Sequence, residues 1–264
     1  MSETAAAILA HRRLQGEVAA LLPQSLRPQS FAEAFVLQQQ VAALLPSAIA
    51  GWKCALPTVD ANGEKQVVAP LYQAEVCRSP AAICPIWPSV LPQSKGLARV
   101  EPELAFVFHK DLPARGQGAP YSEAEINAAI GGVHLALELI QSRFLADSGA
   151  LYFDQLADGL FNQGLYLGPA VAVRDVDLKQ FLLSIYAGDE LLLQQQAQHP
   201  NGDAKAALYW LVNFLSAQGI GLKAGQAVIT GSYAGVLDLP IGSQIQFEFG
   251  QLGSFSLQFQ PGKP

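Results

Sequence analysis

Val100-Glu101-Pro102-Glu103-Leu104-Ala105-Phe106-Val107-Phe108 sets two carboxylates at the head of an otherwise apolar run. On a β-strand, residues two apart face the same side. Glu101 and Glu103 therefore project together from the start of a strand whose remainder is apolar. Two parallel carboxylates repel unless a cation or a proton sits between them. Oxygen-only ligands suit Mg²⁺ or Mn²⁺ rather than zinc or copper. By itself, an isolated E-x-E pair reads more often as the solvent-facing end of a strand.

Around this stretch, from residue 48 onward, short apolar runs alternate with Gly, Pro, Asn and Asp, the pattern of many short strands. Ala98–Phe108, Leu165–Val173, Gln226–Thr230, Gln244–Phe249 and Ser254–Phe259 are expected strands. Two helices interrupt them. Ser122-x-x-Glu125 is a capping box opening a helix through about Ile130, and Asp203 caps a helix running to Ala217 and closed near Gly219. Ahead of residue 48 the chain reads as helical. Residues 3–22 form one expected helix, capped by Ser2 and stopped by Pro23; residues 30–45 form another, capped by Ser30 and ended by Pro46. The expected organisation is a helical segment over 1–46 packed on a β-rich domain over 47–264, an α+β chain.

Composition narrows the function classes. Half of the 264 residues are hydrophobic and only 14% are charged, which suits a large core or a surface partly hidden in an oligomer. The net charge is −6, and no Lys/Arg cluster exceeds the pair Arg12-Arg13. Nucleic acids and anionic membranes, which need a basic footprint, are not expected partners. No apolar run reaches the roughly 18 residues of a membrane span, and the N-terminus has the wrong order for a signal peptide. Cys54, Cys77 and Cys84 make an odd count with no CxxC, so free thiols in a reducing cytoplasm are expected.

Other residues carry chemistry with less specificity. Glu138 sits alone in Leu135–Ile140, and a buried carboxylate needs a partner, for which Arg143 is at hand. Lys53 is isolated in the apolar run Gly51–Leu56, where it either snorkels to the surface or points into a site. Thr230-Gly231-Ser232 follows a strand, and small residues there let backbone N–H groups approach an anion such as a substrate carboxylate; an ordinary tight turn reads the same way. His134 shares a strand face with Glu138. No G-x-S-x-G and no G-x-G-x-x-G is present, so serine-hydrolase and dinucleotide-binding readings lack their signals.

In order along the chain come G-W-K (51–53), V-E-P-E-L-A-F-V (100–107), K-D-L (110–112), A-L-E-L-I (136–140) with S-R (142–143), L-A-D (156–158), L-G-P (167–169), W-L-V-N (210–213), L-K-A-G (222–225), T-G (230–231) and F-G-Q-L-G (249–253). This series, from about residue 30 to the C-terminus, resembles the fumarylacetoacetate hydrolase superfamily, and within it the 2-keto-4-pentenoate hydratases and 2-oxo-3-enedioate decarboxylases. The resemblance implies a β-rich fold of mixed, rolled sheets and Mg²⁺ or Mn²⁺ held by Glu101, Glu103 and Glu138. It also implies a small 2-oxo acid substrate and a homo-oligomer. Lys53 is then expected beside the substrate and Asp158 as a proton shuttle, with Ser142, Asn162, Thr230 and Gly231 binding substrate. The expected reaction is hydration of a 2-hydroxy-2,4-dienoate to a 4-hydroxy-2-oxo acid in aromatic catabolism. Decarboxylation or C–C hydrolysis at the same centre, or a non-catalytic partner subunit, are the alternatives. Three departures stand out: Gln141 where many hydratases carry Asp, Asp158-Gly159-Leu160 in place of a D-N-A/G motif, and Tyr72–Cys77 in place of an acidic run.

Overall fold

The computed structural model describes residues 4–60, 63–172 and 177–263. Helices α1 (Ala5–Gln15) and α2 (Phe31–Leu44) come first. The Thr4 hydroxyl accepts the Ala7 N–H and the Ser30 hydroxyl accepts the Glu33 N–H, each satisfying a donor that the helix leaves open. The expected helix over 3–22 is shorter than the apolar pattern suggests. Gly16 adopts φ 65° and turns the chain out of α1 well before Pro23. Ser2 lies outside the described residues.

There follow β1 (Ile49–Asp60), β2 (Gly63–Tyr72), β3 (Val76–Arg78), β4 (Ile83–Ile86), β5 (Ala98–Phe108), α3 (Glu123–Asn127), β6 (Ile130–Ile140), α4 (Tyr152–Ala157) and β7 (Asn162–Ala170). The chain continues through β8 (Gln180–Ala187), β9 (Glu190–Gln198), α5 (Ala204–Ala217), β10 (Ala227–Ile229), β11 (Leu237–Leu239), β12 (Gln244–Phe249) and β13 (Ser254–Pro261). The Ser122/Glu125 capping box is formed, but α3 stops at Asn127 because Ile130 is already paired with Phe108. The strand expected over Leu165–Val173 begins earlier, at Asn162, and ends at Ala170; Val173 lies outside the described residues.

Two sheets carry the architecture. One runs β2-β1-β10-β5-β6-β7-β3, with β11 also beside β5; the other runs β4-β13-β12-β8-β9. Both mix parallel and antiparallel pairs: β1 with β10 and β4 with β13 are parallel, and β5 with β6 is antiparallel. The alternation along β5 sorts its side chains. Ala98, Val100 and Leu104 enter a core shared with Phe181, Phe247, Phe249 and Phe255 of the second sheet and its connections. Further along, Phe106 and Phe108 pack with Trp52, Cys54 and the apolar stripe of α5, including Leu208, Leu211 and Leu215. The opposite face of the strand carries Glu101, Glu103 and Ala105. Ala105 joins a small cluster with Ala136, Leu165 and Ile229. Period-two geometry thus delivers the carboxylates to the face turned away from both large cores.

A third apolar cluster joins α1 and α2 to Phe144, Leu156 and Leu160. This seats the N-terminal helices on the segment between β6 and β7. β1 and β10 approach so closely that a Cβ on Gly51 would lie 1.9 Å from the Ala227 carbonyl oxygen, so only glycine fits there. Cys54, Cys77 and Cys84 are free thiols.

Candidate metal centre

The register between β5 and β6 sets Glu101 directly opposite Glu138 and Glu103 opposite Ala136. One carboxylate oxygen from each of Glu101, Glu103 and Glu138 lies within 4.8 Å of the others. Among the described residues this is the one group of three or more His, Cys, Asp or Glu side chains close enough to share a metal ion. Glu103 and Glu138 are buried and Glu101 is partly exposed, so the cluster has an open side. Pro102 is tolerated inside β5 because the neighbouring edge is interrupted there: β10 pairs with residues 105–107, β11 with residues 98–100. The loop between β10 and β11 fills the gap, with the Tyr233 N–H donating to the Pro102 carbonyl.

Electrostatics mark the cluster as short of positive charge. Burial, then the Glu138 carboxylate, raises Glu101 to about 7. Burial together with Glu138 and Glu101 raises Glu103 well above the usual carboxylate range. Lys53 answers part of this. Its ammonium is 2.6 Å from Glu138 Oε1 and donates to the Leu160 carbonyl at 3.0 Å. Burial opposes its charge, but Glu138, Glu101 and Glu103 outweigh that and its pKa is raised. Lys53 points into the cluster and does not snorkel. The anticipated Glu138–Arg143 pair is not formed: Arg143 is fully buried and holds both Asp158 oxygens at 2.9 Å.

The other expected residues divide. Asn162 is at the cluster, its amide NH₂ donating to Glu138 Oε1 (2.9 Å) and the Gly164 carbonyl, its Oδ1 accepting from Arg13. The Gly231 N–H, anticipated on a substrate carboxylate, is spent on Glu103 Oε2 at 2.8 Å. Gly231 reaches that pose at φ 135°, where side chains are strained. Thr230 Oγ1 faces His199 Nε2 at 3.4 Å. His199 Nδ1 accepts the Asn201 N–H, so the ring is the Nε2-protonated tautomer, and burial lowers its pKa. His134 binds the Gly168 carbonyl and takes no part in the cluster. Asp158 stands apart, its carboxylate committed to Arg143.

Ser142 lines a cavity of about 340 Å³ with Arg99, Gln93, Leu145 and Phe161. Arg99 lies two residues before Glu101 on β5 and Ser142 just beyond the end of β6, so the cavity shares the two strands that carry the carboxylates, none of which lines it. A larger groove of about 500 Å³, between α1, Arg27 and α2, contains none of these groups. Leu160 and Phe161 both hold left-handed backbone, at φ 51° and 68°. Such conformations are costly for residues with side chains and persist where surroundings enforce them. Here they turn the Leu160 carbonyl to Lys53 and the Phe161 carbonyl to the Gln141 N–H. Sequence reasoning missed Arg13, Glu75, Arg99 and His199. Their partners are distant in sequence, and no local pattern marks them.

The profile described as fumarylacetoacetate (FAA) hydrolase C-terminal matches residues 60–260. The chain belongs to the fumarylacetoacetate hydrolase family. Relatives in it include a 2-keto-4-pentenoate hydratase of Burkholderia vietnamiensis, 26% identical over 162 residues, covering 61% of this chain and 60% of that protein. A 2-oxo-hept-4-ene-1,7-dioate hydratase of Escherichia coli is 29% identical over 172 residues, covering 61% of each. The chain thus matches about three-fifths of the length of these relatives. Among solved structures, the 4-oxalocrotonate decarboxylase from Pseudomonas putida G7 complexed with magnesium and adipate shares the fold. It has a TM-score of 0.71 at 18% identity, covering 97% of this chain and 95% of that one. The α+β, mixed-sheet architecture is therefore that of the fumarylacetoacetate hydrolase family.

Proposed function

We propose that this chain is a divalent-cation-dependent hydratase that converts 2-hydroxy-2,4-dienoates to 4-hydroxy-2-oxo acids. The observation that carries this reading is the convergence of Glu101, Glu103 and Glu138, with Lys53 paired to one of them. The donor set fits a hard cation: three carboxylates, two with raised pKa, and a single ammonium among them. Hydratase names among the family relatives support the reaction class.

Glu101, Glu103 and Glu138 would hold the cation, Mg²⁺ or Mn²⁺. When bound, it supplies Lewis-acid stabilisation of negative charge at the substrate's 2-oxygen and carboxylate. Lys53 adds a fixed positive charge where that oxygen becomes anionic. The diene's 2-hydroxyl gives up its proton and carbon 5 takes one up, forming the 2-oxo-3-enoate. Water then adds across the new double bond, hydroxyl to carbon 4 and proton to carbon 3. The cavity by Ser142 and Phe161 receives the tail. Asp158 is assigned a positioning role, through Arg143 and the 158–162 turn that presents Leu160 to Lys53. The Asn162 amide and the Gly231 N–H orient Glu138 and Glu103, and Thr230 is held by His199. A homo-oligomer and a cytoplasmic setting complete the reading.

The test is the absorbance of 2-hydroxypenta-2,4-dienoate with metal-stripped protein before and after Mg²⁺ or Mn²⁺, with products identified. Cation-dependent loss of diene absorbance yielding a 4-hydroxy-2-oxo acid supports the hydratase. Carbon dioxide release from a 2-oxo-3-enedioate, or cleavage of a C–C bond, would replace it with a different reaction at the same centre. Failure to bind either cation would favour a non-catalytic partner subunit.

A further inference from the structure

The N-terminal helix reaches the carboxylate cluster through one side chain. Arg13, near the end of α1, is almost fully buried, and its guanidinium grips Glu75 with Nε at 3.0 and 3.1 Å and Nη2 at 2.5 Å. The same Nη2 donates to Asn162 Oδ1 at 3.1 Å. The guanidinium carbon also lies over the Tyr72 ring, 4.6 Å from its centroid. Glu75 itself stands in the short turn between β2 and β3, so the contact joins three separate parts of the chain.

A carboxamide has two ends that differ only in chemistry. A guanidinium has donors and no acceptor, so the Asn162 end that meets Arg13 must be the oxygen. The NH₂ end is then compelled to face Glu138, whose carboxylate is acceptor only. Glu138 Oε1 receives two donors, Asn162 and Lys53. Its Oε2 receives none among the described residues. Without the guanidinium the Asn162 oxygen loses its partner, the amide is held from its NH₂ end alone, by Glu138 and the Gly164 carbonyl, and its grip on Glu138 Oε1 loosens.

Resting on the cation-site reading above, we infer that Arg13 is a positioning residue for the metal ligand Glu138, acting through Asn162. The helix that carries it lies outside residues 60–260, the span matched by the family profile. Partners that orient a metal ligand typically alter affinity by about 10–100-fold when removed.

The test is Mn²⁺ and Mg²⁺ affinity by calorimetric titration, together with the melting temperature of the metal-free protein. The variants are Arg13→Met/Glu75→Gln, which leaves no orphan charge, Asn162→Ala, and all three substitutions combined. The expected result is about 10–100-fold weaker cation binding in the double variant, and little further loss when Asn162→Ala is added. That non-additivity is what a shared path requires. A lowered melting temperature with wild-type cation affinity, or fully additive losses, overturns the inference and makes Arg13 a structural staple only. Should the double variant not fold, Arg13→Lys keeps the charge on Glu75 but lacks the fork that spans both partners. It should weaken cation binding, and unchanged affinity in it counts against the inference. A wild-type chain that binds neither cation instead defeats the function proposed above, so the two failures are distinguishable.

Discussion

The Lys53 ammonium sits 2.6 Å from a Glu138 oxygen, so a divalent cation entering the cluster meets a positive charge already paired with one of its ligands. Removing that charge should help the cation and harm the chemistry. Lys53→Met is expected to bind Mg²⁺ at least as tightly as wild type while turnover of the dienoate falls on the order of 100–1,000-fold, as when an oxyanion donor is deleted. Titration and steady-state kinetics on one preparation separate the two effects. Glu103→Gln should lose cation binding and activity together, and normal turnover in it would sink the proposed scheme. The pH dependence follows from Glu101. Burial and Glu138 raise it to about 7, so without a cation the folded chain holds this proton to higher pH than the unfolded chain does. Its contribution favours the folded state in acid and is lost as pH rises from the ordinary carboxylate range through about 7. A cation must displace the protons that Glu101 and Glu103 retain, so affinity should climb as pH rises toward and through neutrality. Calorimetric titrations on both sides of neutrality check this; a flat profile rules it out.

At the scale of elements, β5 was the most legible part of the chain. Its apolar run and paired carboxylates give Ala98–Phe108 with the observed ends. The caps Ser30, Ser122 and Asp203 were equally readable, because a cap is a contact between residues two or three apart. Where α1 ends was not readable: Ala, Leu and Val continue the helical spacing past Gly16, and one backbone angle decides. Within the cluster, Glu101 and Glu103 announce themselves by spacing, but Glu138 takes Lys53 as its partner and not Arg143, a choice made across a sequence separation of 85. Arg13 and Asn162 are 149 residues apart, and neither carries a local mark of the other. The tightest sheet contact gives a prediction at this scale. In Gly51→Ala the added methyl meets the Ala227 carbonyl 1.9 Å away, against backbone that cannot yield without parting β1 from β10. The expected cost is about 1–3 kcal/mol or more, seen as a lower melting temperature, with cation affinity reduced because Lys53 moves with β1.

Across the whole molecule, the cluster is a junction of segments far apart in the chain. Ile229 is in register with Lys53 on one side and Ala105 on the other, so the three-residue strand β10 is the seam between the lysine and the glutamates. Pairings of such long range are slow to form, because chain entropy is lost before the contacts are gained. In refolding from denaturant, Mn²⁺ binding should return only with the last tryptophan-fluorescence phase; earlier return would mean that the cluster forms without β10. The position of that seam also matters during synthesis. The ribosome makes β1, β5 and β6 well before the residues that fill the gap between the first two. Until then, one edge of β1 and one edge of β5 are bare strand edges, each able to recruit another chain. A nascent chain of this protein is therefore at risk of joining its neighbours until Ala227–Ile229 has been made, and a fragment ending at Ile220 should sediment as aggregate where residues 1–264 stay in solution.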